Sequence, residues 1–248
     1  MKETITVTGM VLFAAPVGDY DKRMIILTKE LGKITVFARG VRKSTSPFLA
    51  VANPFVMGSF QIYEGRTAYT LHQANVKDYF TELATKQPGV YYGFYFLEIA
   101  EYFGREGNCE TSMLNLLYVT LKALLHEQIP NALVRAVFEL KTMVINGEYP
   151  AVFECTECGR KEKLRYISEK QEGCVCEECA RTVRDKSAIS GAALYALQYI
   201  ISAPMEKLYT FTLRTEILKE VVKWCKRYIE RHTDRKFKSL DILEMMAE

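Results

Sequence analysis

Lys33-Ile34-Thr35-Val36-Phe37-Ala38-Arg39 alternates without interruption between polar or mixed residues and small apolar ones. A period of two belongs to a β-strand with one buried face, so Ile34, Val36 and Ala38 are assigned to a core. Lys33, Thr35, Phe37 and Arg39 then share the other face. Working outward, related patterns occupy Ile5–Phe13, Met24–Thr28, Phe55–Tyr63 and Arg66–Gln73. Gly18-Asp19, Gly32, Ser46-Pro47, Asn53-Pro54 and Glu64-Gly65 supply the turns between them. Five short antiparallel strands in about 70 residues predict an OB-fold barrel, with a small SH3-like barrel as the alternative.

The pattern changes at Pro88-Gly89. Val90–Gly104 is apolar almost all round and is expected to be a buried helix. Thr111–Glu127 and Asn131–Asn146 carry apolar stripes at helical spacing, with Pro130-Asn131 as break and cap. Three later helices are expected over Ser187–Ala203, Arg214–Thr233 and Ser239–Ala247, with Ser187 and Ser239 as N-caps. The sequence thus predicts an α+β protein. An OB-fold nucleic-acid-binding domain spans 1–80, and a helical domain spans 81–248 with an inserted four-cysteine segment at about 152–183.

Five of the seven cysteines lie between residues 155 and 179. Cys155-Thr156-Glu157-Cys158-Gly159 and Cys176-Glu177-Glu178-Cys179 are two knuckles separated by seventeen residues. This spacing is that of a four-thiolate zinc ribbon, because each tight turn brings two sulfurs to one side of the chain. Gly159 suits the left-handed conformation that such a turn needs. Four thiolates complete a tetrahedron and leave no position for substrate, so one structural Zn2+ on Cys155, Cys158, Cys176 and Cys179 is expected rather than a catalytic metal. Cys174 sits two residues from Cys176 and is the alternative third ligand. Cys109 and Cys225 fall in or beside helical patterns and read as ordinary thiols.

Charge is segregated along the chain. Residues 1–80 hold ten Lys and Arg against six Asp and Glu, whereas residues 81–154 hold five against nine. The outward face of the third strand joins cations to an aromatic ring, and Arg39-Gly40-Val41-Arg42-Lys43-Ser44 follows it. Charge that tracks phosphates beside a ring that stacks a base is the combination single-stranded nucleic acid requires. Lys22, Arg23, Lys33, Phe37, Arg39, Arg42 and Lys43 are therefore the candidate DNA-binding residues. A late helix carries Lys219, Lys223, Lys226, Arg227 and Arg231, with Glu216, Glu220 and Glu230 placed to pair with some of them.

No signal-peptide pattern opens the chain, and the uncharged stretches Ser44–Tyr63 and Ser187–Met205 are each interrupted by Pro, Ser, Gly or Gln. Neither resembles the roughly 20 mainly apolar residues of a membrane span, and a cytoplasmic protein is expected. His72, His126 and His232 stand apart from one another, and Gly-rich phosphate loops, HExxH and G-x-S-x-G are absent from the sequence. A non-catalytic protein is expected.

Gly18-Asp19-Tyr20-Asp21, Leu27-Thr28-Lys29-Glu30-Leu31-Gly32-Lys33, Ala38-Arg39-Gly40-Val41-Arg42-Lys43 and Asn53-Pro54-Phe55 resemble the N-terminal signature of the RecO family of bacterial recombination mediators. Phe138-Glu139-Leu140 with Gly147, the two cysteine knuckles and Lys236-Phe237-Lys238-Ser239-Leu240 are similar to later features of that family, so the resemblance runs through the chain. It implies binding of single- and double-stranded DNA, annealing of complementary strands, and help with RecR in loading RecA onto strands coated by single-strand-binding protein. It further implies a nucleoid-associated cytoplasmic location and a contact between the helical domain and the acidic C-terminal tail of the coating protein. Arg135 lies where that basic contact is expected. Cys174 departs from the glycine-rich stretch that the family places before the second knuckle. Two other readings compete: a zinc-thiol redox protein switching through Cys174-Val175-Cys176, and a different barrel-plus-ribbon protein of transcription or RNA.

Overall fold

The computed structural model describes residues 4–247 of the chain. Strands β1 (Thr4–Val17), β2 (Asp21–Thr28), β3 (Gly32–Ala38), β4 (Met57–Glu64) and β5 (Tyr69–Asp78) close into a barrel in the order β1-β2-β3-β5-β4. All neighbours are antiparallel except β3 and β5, whose parallel pairing closes the ring. A five-stranded Greek-key barrel of this order is the OB-fold. Val7, Val11, Met24, Ile26, Ile34, Val36, Phe60 and Ile62 fill its interior, so the alternation read in β3 holds. Val41, Val51, Ala52 and Val56, from the β3–β4 connection, complete that core.

The strand limits differ from the sequence reading for local reasons. β1 and β2 run on to a tight turn, so their pairing extends to Val17 and Asp21. Phe55 takes a left-handed φ of 73° and delays β4 to Met57. The Glu64–Ala68 segment is a hairpin turn closed by Gly65 N–H donating to Ala68 O at 3.0 Å, and β5 starts only at Tyr69. Gly32 opens β3 at φ 69°, and a Cβ there would lie 2.0 Å from Arg105 O, so the β2–β3 turn admits no side chain at this position.

Helices α1 (Gly89–Phe103), α2 (Thr111–Leu124) and the C-terminal α6 (Lys238–Ala247) belong with the barrel to one compact unit, which takes in the chain up to Leu125 and returns at Phe237. α1 packs against α2 and α6. The rings of Tyr95 and Tyr102 meet Phe237 edge-on at 5.8 and 5.7 Å. Ser239, expected as an N-cap, lies inside α6. The capping is done from outside by Glu98 of α1, whose carboxylate accepts from the Ser239 N–H at 2.9 Å, the Lys238 N–H at 3.3 Å and the Ser239 hydroxyl. A carboxylate at a helix start satisfies orphan N–H groups and favours the dipole.

The second compact unit is His126–Lys236. It holds α3 (Asn131–Ile145), α4 (Gly191–Ser202), α5 (Thr215–Arg231) and a four-stranded sheet of β6 (Ala151–Cys155), β7 (Leu164–Ser168), β8 (Gly173–Cys176) and β9 (Lys186–Ala188) in the order β6-β8-β7-β9. Ser187, also expected as an N-cap, is in β9. Ser190 caps α4 instead, its hydroxyl accepting from the Ala193 N–H at 3.1 Å. Lys141, buried on α3, sends its ammonium to the carbonyls of Ile200, Ile201 and Ala203 at 3.3, 2.9 and 2.8 Å. The side chain thereby closes the C-terminal end of α4. Among the described residues no helix is long and apolar enough to cross a membrane.

Substituting Lys141→Met keeps the stem's bulk and strips three buried carbonyls of their donor. We expect a loss of about 2 kcal/mol, seen as a lower urea midpoint at an unchanged m-value.

Candidate nucleic-acid interface and metal centre

Between Val11 and Phe13 the β1–β2 register shifts, which makes Leu12 the extra residue of a bulge. Beyond it Phe13 pairs with Ile25, and Ile25 with Thr35; Ala15 pairs with Arg23, and Arg23 with Phe37. Met24 and Val36, which alternate with these positions, are core residues, so Phe13, Arg23 and Phe37 point out of the barrel. Phe13 is 40% exposed and the Arg23 guanidinium lies over its ring, 5.8 Å from the centroid.

The β1–β2 turn and the segment after β3 extend the same surface. Gly40 N–H donates to Asp21 Oδ1 at 2.7 Å, and Arg42 N–H donates to Tyr20 O at 2.9 Å. Tyr20 is 54% exposed, with the Lys43 ammonium 5.3 Å from its ring centroid. Arg39, Arg42 and Lys43 are all exposed. Five of the seven sequence-derived residues, Arg23, Phe37, Arg39, Arg42 and Lys43, thus come together with two rings that the sequence reading passed over. Unbroken alternation puts Phe13 on the inward side with Val7 and Val11, and only the bulge turns it out.

Lys22 and Lys33 are engaged elsewhere. Lys22 has the parity of Met24 and faces inward at the barrel end, donating to Ala52 O at 2.8 Å and Asn53 Oδ1 at 2.9 Å. Burial and then the neighbouring Arg42 lower its pKa. Lys33 is at the opposite end of β3, its ammonium 2.6 Å from Glu101 O at the end of α1. Both lysines anchor loops or helix ends.

In the second unit the sulfurs of Cys155, Cys158, Cys176 and Cys179 all lie within 4.8 Å of one another. Cys158 and Cys176 are 3.8 Å apart. A regular tetrahedron with metal–sulfur bonds of about 2.3 Å has sulfurs about 3.8 Å apart, so the donor set is compatible with zinc. The first knuckle closes through Gly159 N–H donating to Cys155 O and Cys155 N–H donating to Arg160 O, both at 2.8 Å, with Gly159 at φ 72°. The second is held against it by β6–β8 pairing and by Cys176 N–H donating to Cys155 Sγ at 3.3 Å. Burial alone raises the Cys155 pKa, but the N–H groups of Cys176, Cys158 and Glu157 outweigh it and bring the thiol down to about 7.

Cys174 pairs with Cys155 through the backbone, yet its sulfur is outside the cluster. Burial, and then the charge of Cys155, push it up to about 12, so it is a neutral thiol at physiological pH. The choice that the spacing left open is made by strand geometry in favour of Cys176.

Arg135, the expected partner contact, is 8% exposed on α3 and donates from Nε to Glu139 Oε1 at 2.7 Å. The fully buried Cys225 of α5 sits near this pair, and burial drives its thiol pKa well up. The guanidinium is therefore part of the packing between α3 and α5. A partner contact at this residue requires that packing to open.

Residues 1–80 match the family profile described as Recombination protein O N terminal, and residues 89–241 match that described as Recombination protein O C terminal. The chain is 30% identical over 240 residues to the DNA repair protein RecO of Alkaliphilus metalliredigens, covering 96% of this chain and 98% of the relative. It is 26% identical over 241 residues to the DNA repair protein RecO of Clostridium acetobutylicum, covering 97% of each. A third relative, the DNA repair protein RecO of Caldanaerobacter subterraneus, is 26% identical over 240 residues and 97% of each chain.

Metal analysis of purified variants tests the cluster: Cys176→Ser is expected to lose the bound metal and Cys174→Ser to keep it. Arg135→Ala leaves the Glu139 carboxylate buried without this guanidinium. It is expected to destabilise the protein by about 3 kcal/mol in denaturant unfolding.

Proposed function

The chain belongs to the RecO family of DNA repair proteins, and from that membership we propose that it acts without catalytic turnover as a DNA-binding mediator of homologous recombination. In this reading it binds single- and double-stranded DNA, anneals complementary strands and, with RecR, helps load RecA onto strands coated by single-strand-binding protein. The observation that carries the DNA-binding part is the outward barrel surface of Phe13, Tyr20, Arg23, Phe37, Arg39, Arg42 and Lys43.

The chemistry follows from how a flexible polyanion is held. Arg39, Arg42 and Lys43 lie on a connection beside the barrel and take phosphates without regard to sequence. Phe13 and Phe37 offer ring faces to unpaired bases, and Arg23 lies beside both. Stacking accepts any base, so contact of this kind is sequence-tolerant, as annealing any two complements requires. One zinc on Cys155, Cys158, Cys176 and Cys179 is structural in this proposal: closed four-thiolate coordination supplies folding energy and offers no site to a substrate. The coating protein's tail is taken to bind the helical domain, as the family resemblance implies.

Fluorescence anisotropy of a labelled single strand over a salt series tests the interface. The Arg39→Ala/Arg42→Ala/Lys43→Ala protein should lose about 2 from the slope of log K against log salt, at about 0.7 for each phosphate contact. Phe13→Ala should weaken single-strand binding by about 1–3 kcal/mol and leave that slope in place. Unchanged binding in both proteins would remove the barrel from the DNA interface.

A further inference from the structure

Beside the zinc ribbon, α5 and the strands β7 and β9 enclose a cleft of about 120 Å³ lined by Ile167, Ile189, Trp224, Lys223, Arg227 and Glu169, among others. Trp224 is the sole tryptophan of the chain and is partly exposed. Its ring stacks on Tyr228 at 4.9 Å and 19°, and Tyr228 lies against His232 at 4.3 Å, so a ladder of rings one turn apart holds the indole in place.

The charges around the cleft are unequal in their commitments. Arg227 and Arg231 both reach Glu169, at 3.1 and 3.7 Å. Lys226 pairs with Glu230 at 3.9 Å. Glu220 is taken up by Ser190, accepting from its N–H at 2.8 Å and from its hydroxyl at 2.6 Å. Among the described residues Lys219 and Lys223 are in no ion pair and are exposed, one turn apart on α5 and so about 6 Å along its axis.

We propose that this cleft is a second contact for single-stranded nucleic acid, in which one base lies against Trp224 while Lys219 and Lys223 take adjoining phosphates. It rests on the reading of the chain as a DNA-binding protein, and adds to the barrel a site walled by the zinc ribbon. Lys219 and Lys223 call for an anion and the partly exposed indole for a flat ring, and the two together select the occupant. An acidic peptide would also meet Lys219 and Lys223, but its carboxylates bring no ring for Trp224. A nucleotide strand brings a flat base for the indole and phosphates for the two lysines. Contacts on two units of one chain also suit a protein proposed to bring two strands together.

Because Trp224 is alone, its emission reports this cleft and nothing else. Titration of the full-length, zinc-loaded protein with a dT oligonucleotide at low salt is expected to quench it, with reversal by added salt. Lys219→Ala/Lys223→Ala, both on exposed positions, should shift the quenching midpoint to higher DNA concentration and reduce its log–log salt slope by about 1.4. The barrel protein Arg39→Ala/Arg42→Ala/Lys43→Ala should still show quenching at sufficient DNA. A labelled strand that binds by anisotropy while the emission stays constant overturns this inference alone. A strand that does not bind at all overturns the DNA-binding reading with it. Quenching by poly-glutamate and not by dT would assign the cleft to an acidic protein partner, against the proposal.

Discussion

Every N–H and C=O of a buried strand has to be paired, and in the barrel that demand falls most heavily on β1. Its first half, Thr4–Met10, pairs with β4, and its second half, Gly9–Val17, pairs with β2. One strand of fourteen residues therefore closes the ring on both sides. It has to bend between the two partners, and the bulge at Leu12 lies just past the overlap. Gly9, in the overlap, admits no Cβ, since one would lie 2.5 Å from Leu27 O. Closing a small barrel thus fixes the place where alternation breaks. That break is what sets Phe13 beside Arg23 on the outside.

The ribbon is governed by a second closure of the same kind at smaller scale. Two knuckles far apart in sequence meet because β6 runs parallel to β8, which needs the backbones close at Gly173, where a Cβ would be 2.8 Å from Ala151 O. This approach aims the Cys176 N–H at Cys155 Sγ, and with the N–H groups of Glu157 and Cys158 in the first knuckle it favours the Cys155 thiolate. Surface ion pairs such as Arg160–Glu178, which joins the knuckles, add little beside this in water.

The two compact units use a charged side chain in similar ways. Glu98 closes the start of α6 and Lys141 closes the end of α4, each from a neighbouring helix. In both cases a long side chain reaches orphan backbone groups that no local residue satisfies. A cap supplied by a distant residue leaves no sequence signature. Ser187 and Ser239 looked like caps because Ser before an apolar run is the local sign, and Ser190 and Glu98 hold those roles.

The sequence by itself determined the alternation of β3, the change from strand to helix near Pro88, the two knuckles and the basic character of the segment after β3. These are local properties, set by side-chain periodicity, turn residues and spacing of two or three positions. Tertiary structure decided the rest. Which sulfur joins the cluster depends on strand pairing, because Cys174 and Cys176 differ only in where β8 carries them. Whether a cation faces solvent depends on what it meets across the fold: Lys22, Lys33 and Arg135 are drawn in by carbonyls or a carboxylate, while Arg39, Lys43 and Arg42, the last with a bond to Gly18 O, stay exposed. Phe13 turned outward because closing the barrel required a bulge, and the resulting shift of register is invisible to a reading that counts by twos.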